Sequence, residues 1–185
     1  TFTIFYRRLT KGEAGKGITV LMRYTLRMLT AQQYERAASL ICECDLIRRQ
    51  ENIPGGEISI GLWVGSEVTP NHVVSDNPDL ESAETILNKL QSGLIDEVKS
   101  SPVQLSACPY CGEALEPQNA YSIHNRHFKT YCPNQDCPFH KDLPVITVDD
   151  DIYDRKPTLL IGTIDKFARL AWEEKTKSIF AEDGI

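Results

Sequence analysis

Four of the six cysteines form two short pairs, Cys108-Pro-Tyr-Cys111 and Cys132-Pro-Asn-Gln-Asp-Cys137, with 20 residues between Cys111 and Cys132. Each pair spans a tight turn that aims two thiols at one point. Two such turns supply the four soft ligands that a tetrahedral Zn²⁺ takes at about 2.3 Å. Proline after the first cysteine of each pair, and Gly112 after Cys111, provide the turn chemistry. The competing reading is a pair of disulfides. The chain carries no secretory leader and has further thiols at Cys42 and Cys44, which favours reduced cysteines and zinc. His140, three residues past Cys137, is a candidate replacement ligand. With four protein ligands the site is closed, so the ion would organise folding and activate no water. Cys42 and Cys44, two apart on a predicted helix, face different directions and read as packed thiols.

Between the cysteine pairs lie Tyr121, His124, Arg126, His127, Phe128, Lys129 and Tyr131, around a predicted hairpin at Asn125. Such a finger can stack bases and touch phosphates, or spend its aromatics on a small core of its own. Two other segments invite a nucleotide reading. Gly12-Glu-Ala-Gly-Lys-Gly17 has Thr10 at the first glycine position of a phosphate loop and Gly17 at its hydroxyl position, and it precedes a strand; it reads as a flexible basic loop. Asp149-Asp150-Asp151 follows a short apolar run as Mg²⁺-binding acids do, but no phosphate loop accompanies it, and it reads as an acidic turn. A metal-dependent nuclease built from these acids with His124 or His127 is the weakest reading, because consecutive side chains diverge.

The elements that must position these groups come from a chain of 185 residues, 41% hydrophobic and 25% charged, within the range of globular domains. No apolar run approaches the roughly 18 residues of a membrane span. The net charge of −6 is unevenly spread: residues 1–50 hold 9 Lys/Arg against 4 Asp/Glu, and residues 51–107 hold 2 against 9. The basic part, with Arg7, Arg8, Lys11, Lys16, Arg23 and Arg27, either faces phosphates or is a solvated surface. A start at Thr1 without methionine or leader reads as an excised piece of a longer cytoplasmic protein.

Residues 19–24 read as a buried strand, followed by a long amphipathic helix over 26–49. Pro54-Gly55-Gly56 breaks the chain before a second strand over 58–65. Asn77 is the expected cap of a helix with Pro78 at its first position and an apolar stripe from Leu80 to Val98. A short strand over 143–148 and a buried strand over 157–162 follow, with Thr163 placed to cap a helix over 164–172. Strands alternating with helices imply an α/β fold with a parallel sheet. The organisation reads as 1–74 sheet domain, 75–107 helical insertion, 108–141 zinc ribbon and 142–185 return to the sheet.

The segments Thr19 to Arg36, Ile58-Ser-Ile-Gly-Leu-Trp-Val-Gly65 and Pro157 to Leu170 resemble, in order, motif Ia, the GG strand and motif Ib of superfamily 2 helicases. With a CPxC insertion between them, they are most similar to the helicase subunits of DISARM anti-phage systems. The resemblance implies a partial RecA-like parallel sheet with flanking helices and an inserted zinc ribbon. It implies a slice of the first motor domain between motifs I and II, with ATP and Mg²⁺ held elsewhere in the parent chain and no ATP hydrolysis by this piece alone. It carries nucleic-acid contacts to Thr25 (hydroxyl), Arg27 (charge-assisted bond), Gly65 (close backbone approach), and Thr163 with Lys166 (a second phosphate seat). The implied partners are nucleic acid, DNA foremost, the rest of the helicase chain and other defence-system subunits, with no membrane. The alternative is a zinc-ribbon module that binds protein and has no motor role. Thr163 equally fits a plain helix cap.

Overall fold

The computed structural model describes residues 1–24, 27–77, 79–169 and 179, of which 27–32 and 169 by backbone alone. Its centre is a four-stranded parallel sheet in the order β1-β6-β2-β5, formed by β1 (Val20–Tyr24), β2 (Ile60–Trp63), β5 (Val145–Ile146) and β6 (Leu159–Thr163). The two inner strands, Ile-Gly-Leu-Trp and Leu-Leu-Ile-Gly-Thr, are buried along their whole length, as a parallel strand covered on both faces must be. Edge strand β1 alternates half-buried and exposed. Glycine serves close packing at Gly61, where a Cβ would sit 2.6 Å from the Pro157 ring.

Helix α2 (Arg27–Gln50) buries Tyr34, Ala38, Ile41, Cys42 and Asp45, spacings that fall on one helical face. Asp45 is buried yet fully engaged: it accepts from Arg48 and Arg49 at 2.7 Å and from the Ile58 amide at 2.9 Å, fastening the end of α2 to the entry of β2. Helix α1 (Phe2–Lys11) stands before the first strand in a segment with no expected element, and within Gly12 to Gly17, read as a loop, Gly12–Gly15 form a 3₁₀ turn. Arg8 of that basic group is buried. It donates to Gly55 O, to Glu57 O at 3.2 Å and to Thr158 Oγ1 at 3.1 Å, so it is a strut of the fold and no phosphate ligand.

Two helix starts differ from expectation. Helix α3 covers Ala83–Gln91 and is capped by Ser82, whose hydroxyl accepts from the Thr85 amide at 3.3 Å. Asn77 instead closes a local turn through the Asp79 amide at 3.0 Å, and Leu80 and Leu94 are exposed outside the helix. Pro78 lies outside the described residues. The three aspartates are no turn: they form the first turn of α4 (Asp149–Arg155), where negative charge meets the positive end of the helix dipole. Helix α5 (Ile164–Arg169) follows β6 directly.

The cysteine-bearing segment contains the antiparallel hairpin β3 (Tyr121–His124) and β4 (His127–Thr130). Asn125 and Arg126 take left-handed φ values of 50° and 61°, the geometry of a two-residue turn. Its aromatics Tyr121, Phe128 and Phe139 are buried and continuous with the core under the sheet, and Tyr121 donates to Leu105 O at 2.7 Å. They are therefore unavailable for stacking on bases. Among the described residues no helix is long and apolar enough to cross a membrane.

Candidate metal centre and nucleic-acid face

The four expected thiols converge. The Sγ atoms of Cys108, Cys111, Cys132 and Cys137 all lie within 4.8 Å of one another, with Cys111 and Cys132 at 3.5 Å and Cys108 and Cys137 at 4.0 Å. Tetrahedral bonds of about 2.3 Å place sulfurs about 3.8 Å apart, so the donor set has the size and softness of a zinc site. All six cysteines are free, which removes the disulfide alternative for this arrangement.

Local backbone bonds build each half. Gly112, at φ 79°, donates to Cys108 O at 2.9 Å while the Cys108 amide donates to Glu113 O at 2.7 Å. In the second half the Cys137 amide donates to Asn134 O at 3.1 Å and the Cys132 amide to Phe139 O at 3.1 Å. Phe139 packs edge-on to Tyr110 and under the guanidinium of Arg49, 5.0 Å from its ring centre, so α2 props the second knuckle. His140 sits beside the Cys132 carbonyl, Nδ1 to O at 3.1 Å, and stands outside the thiol group.

Burial pushes the Cys132 thiol up and that of Cys137 to about 11. Cys111, the one exposed thiol, ends below its ordinary value despite the desolvation that opposes it, because the Glu113 backbone and neighbouring thiols bond its sulfur. Four thiolates cannot share so small a volume without a cation, so loading a metal must release protons.

The second candidate site is the carboxyl end of the sheet. Tyr24 pairs with Thr163 and Trp63 with Gly162, so β1, β6 and β2 end level. Thr25 lies outside the described residues. Arg27 opens α2, its side chain likewise outside them. Gly65 follows β2 and its carbonyl accepts from Val68 at 2.8 Å and Thr69 at 3.3 Å. Thr163 is buried and its hydroxyl finds no partner among the described residues, so it is no side-chain cap for α5. Lys166 is buried too, pairing with Asp149 and donating to Asn71 Oδ1 at 3.1 Å; a phosphate would have to displace Asp149 to reach it.

The aspartates of α4 are engaged separately. Asp149 holds Lys166, Asp150 meets His72 Nδ1 at 3.2 Å and the Val73 amide at 3.3 Å, and Asp151 meets His127 Nδ1 at 2.6 Å and the Phe128 amide at 2.9 Å. They share no metal site with one another or with the histidines among the described residues. Burial raises the carboxyls of Asp149 and Asp151 above the usual range, against the lowering pull of Lys166 on the first and His127 on the second. Nothing in the sequence announced these bonds, because the partners stand 17 and 24 residues away.

Fold and donor set together define an α/β protein with a four-stranded parallel sheet and a four-cysteine candidate metal centre. No family model matches the chain. The chain is similar to the DISARM protein DrmA of Bacillus paralicheniformis, with 38% identity over 193 aligned residues that cover 98% of this chain and 17% of the relative. It thus spans about one sixth of the length of the curated relative it matches.

Proposed function

We propose that this chain is the nucleic-acid-gripping part of the first motor domain of a superfamily 2 helicase or translocase in a DISARM-type anti-phage system, working in the cytoplasm. The observation that carries the reading is the level ending of three adjacent parallel strands, with Arg27 opening α2, Gly65 just past β2, Thr163 closing β6 and Lys166 in the helix after it. Ligands of open α/β sheets bind at the carboxyl ends of strands. The likeness to DrmA along nearly the whole chain supports the defence role.

In this reading Thr25 and Arg27 take one phosphate, the backbone at Gly65 lies against the strand, and Thr163 supplies a hydroxyl while Lys166 supplies charge when Asp149 yields it. Cys108, Cys111, Cys132 and Cys137 hold a structural Zn²⁺ whose chemistry is to tie the two knuckles together. The ribbon and α3 are an insertion between β2 and β5, with boundaries near 75 and 142. ATP and Mg²⁺ belong to other parts of a longer polypeptide, since these 185 residues contain no Gly-x-x-x-x-Gly-Lys-Ser/Thr loop. The chain by itself is therefore expected to bind nucleic acid without hydrolysing ATP.

The burial of Tyr121 and Phe128 favours one element of the alternative, a ribbon whose exposed side meets protein, here the remainder of the helicase or another defence subunit. Fluorescence anisotropy with labelled oligo-dT tests the main reading. Affinity should fall steeply with salt, and Arg27→Ala should weaken it and lower the log–log salt slope by about one. Salt-independent binding, or none, would contradict it.

A further inference from the structure

The first turn of α4 joins three parts of the molecule that the sequence keeps apart. Successive helix residues point about 100° apart, so three consecutive aspartates cannot serve one ligand but can reach three neighbours. Asp151 grips the ribbon hairpin through both the His127 ring and the Phe128 amide. Asp149 grips Lys166, one turn into the helix that follows β6. Asp150 grips His72 and Val73, and its own amide donates to Asn71 O at 3.0 Å. Asn71 closes the circuit by accepting from Lys166. The far end of α4 is tied to the entry of β2 by Arg155 and Glu57 at 3.1 Å.

Asp149 and Asp151 are 4% and 2% exposed. A carboxylate at such a depth cannot drift from its partner by degrees, because a half-broken pair leaves a buried charge uncompensated. The Asp149 and Asp151 contacts are therefore each either made or broken, with no half-way state. At the sheet end, the Thr163 hydroxyl and Asp149 Oδ1 are buried with no partner among the described residues, so bonding capacity remains there to register a shift.

We propose that α4 couples the ribbon to the carboxyl end of β6: Asp151 senses whether the hairpin is ordered, and Asp149 sets the position of Lys166 accordingly. Asp149 and Asp151 are positioning residues, and the coupling assigns the cysteine centre an influence on the nucleic-acid face. The nucleic-acid half rests on the function proposed above; the coupling itself does not.

Trp63 reports the motion, since it packs against Tyr153 of α4 and Phe167 of α5 with ring centres 6.3 and 5.4 Å away. In a Trp172→Phe background Trp63 is the only indole. Its emission is recorded on the Zn²⁺-loaded chain before and after chelation, and oligo-dT affinity is measured in parallel. Chelation should shift the emission and weaken oligo-dT binding by at least about fivefold, the lower range of allosteric coupling. Asp151→Asn should abolish both responses, and His127→Gln, which leaves the Phe128 amide bond, should reduce them while circular dichroism reports a folded chain. An emission response undiminished in both variants would overturn the coupling, whatever the oligo-dT result. If Arg27→Ala leaves oligo-dT binding intact, the nucleic-acid reading fails and the emission arm still decides the coupling.

Discussion

A buried guanidinium and a cluster of three buried thiols and one exposed make opposite demands on the chain, and both are met by backbone carbonyls and turns. Arg8 is held by two carbonyls and a hydroxyl. Arg8→Ala should lower unfolding free energy by about 2–3 kcal/mol, since bonds to a charged donor are worth roughly twice neutral ones; equilibrium denaturation measures it. The four cysteines should bind one Zn²⁺ per chain with proton release. Cys132→Ser should abolish that stoichiometry and lower Tm by roughly 5 °C or more, given about 2–4 °C per kcal/mol at this size. Metal analysis and a thermal melt check both. The buried acids have a further consequence. A carboxyl whose folded-state pKa is raised binds its proton more tightly when folded. Its contribution to stability is therefore greatest in acid and is lost as pH rises from the ordinary aspartate pKa through the raised one. For Asp151, the stability difference between the Zn²⁺-loaded parent chain and Asp151→Asn, from urea melts across that window, should decline as pH rises.

At the scale of elements, legibility followed locality. The apolar runs of β1, β2 and β6 are short-range signals, and each strand formed where its pattern lay; α2 also formed in place, but Leu40 and Ile47 of its apolar pattern are exposed while Tyr34, Ala38 and Asp45 are buried. The cysteine knuckles are also local, and the thiols converge as their spacing implied. What was hidden depends on tertiary partners. Helix α1 leaves Phe2, Tyr6 and Leu9 exposed while burying Arg8, an inversion no periodicity would suggest. Asn77-Pro78 has the sequence of a helix start, but Ser82, which accepts from the Thr85 amide, is the cap used. Ser82→Ala should therefore cost about 1 kcal/mol, and Asn77→Ala well under that. Chemical denaturation of the two variants distinguishes the assignments. Lys166 is singled out by the resemblance alone, and its burial against Asp149 is set by a residue on another helix.

Across the described residues, one core joins the cysteine-bearing segment to the sheet and to α1, α2 and α3: Cys108, Tyr121 and Phe128 are continuous with Ile41 of α2 and Ile60 of β2, while Ile152 of α4 and Phe167 of α5 pack on a second cluster with Trp63, Ile146 and Leu160. Such continuity would let a metal held by the four cysteines bear on the stability of the sheet. It leaves the carboxyl ends of β1, β2 and β6 as the edge where a polyanion would lie. Hydrogen–deuterium exchange of the Zn²⁺-loaded chain with and without oligo-dT tests that placement most directly. Slower exchange in peptides covering 24–28, 64–66 and 163–167 together is the expected result. Protection confined to 121–131, or absent throughout, would contradict the account.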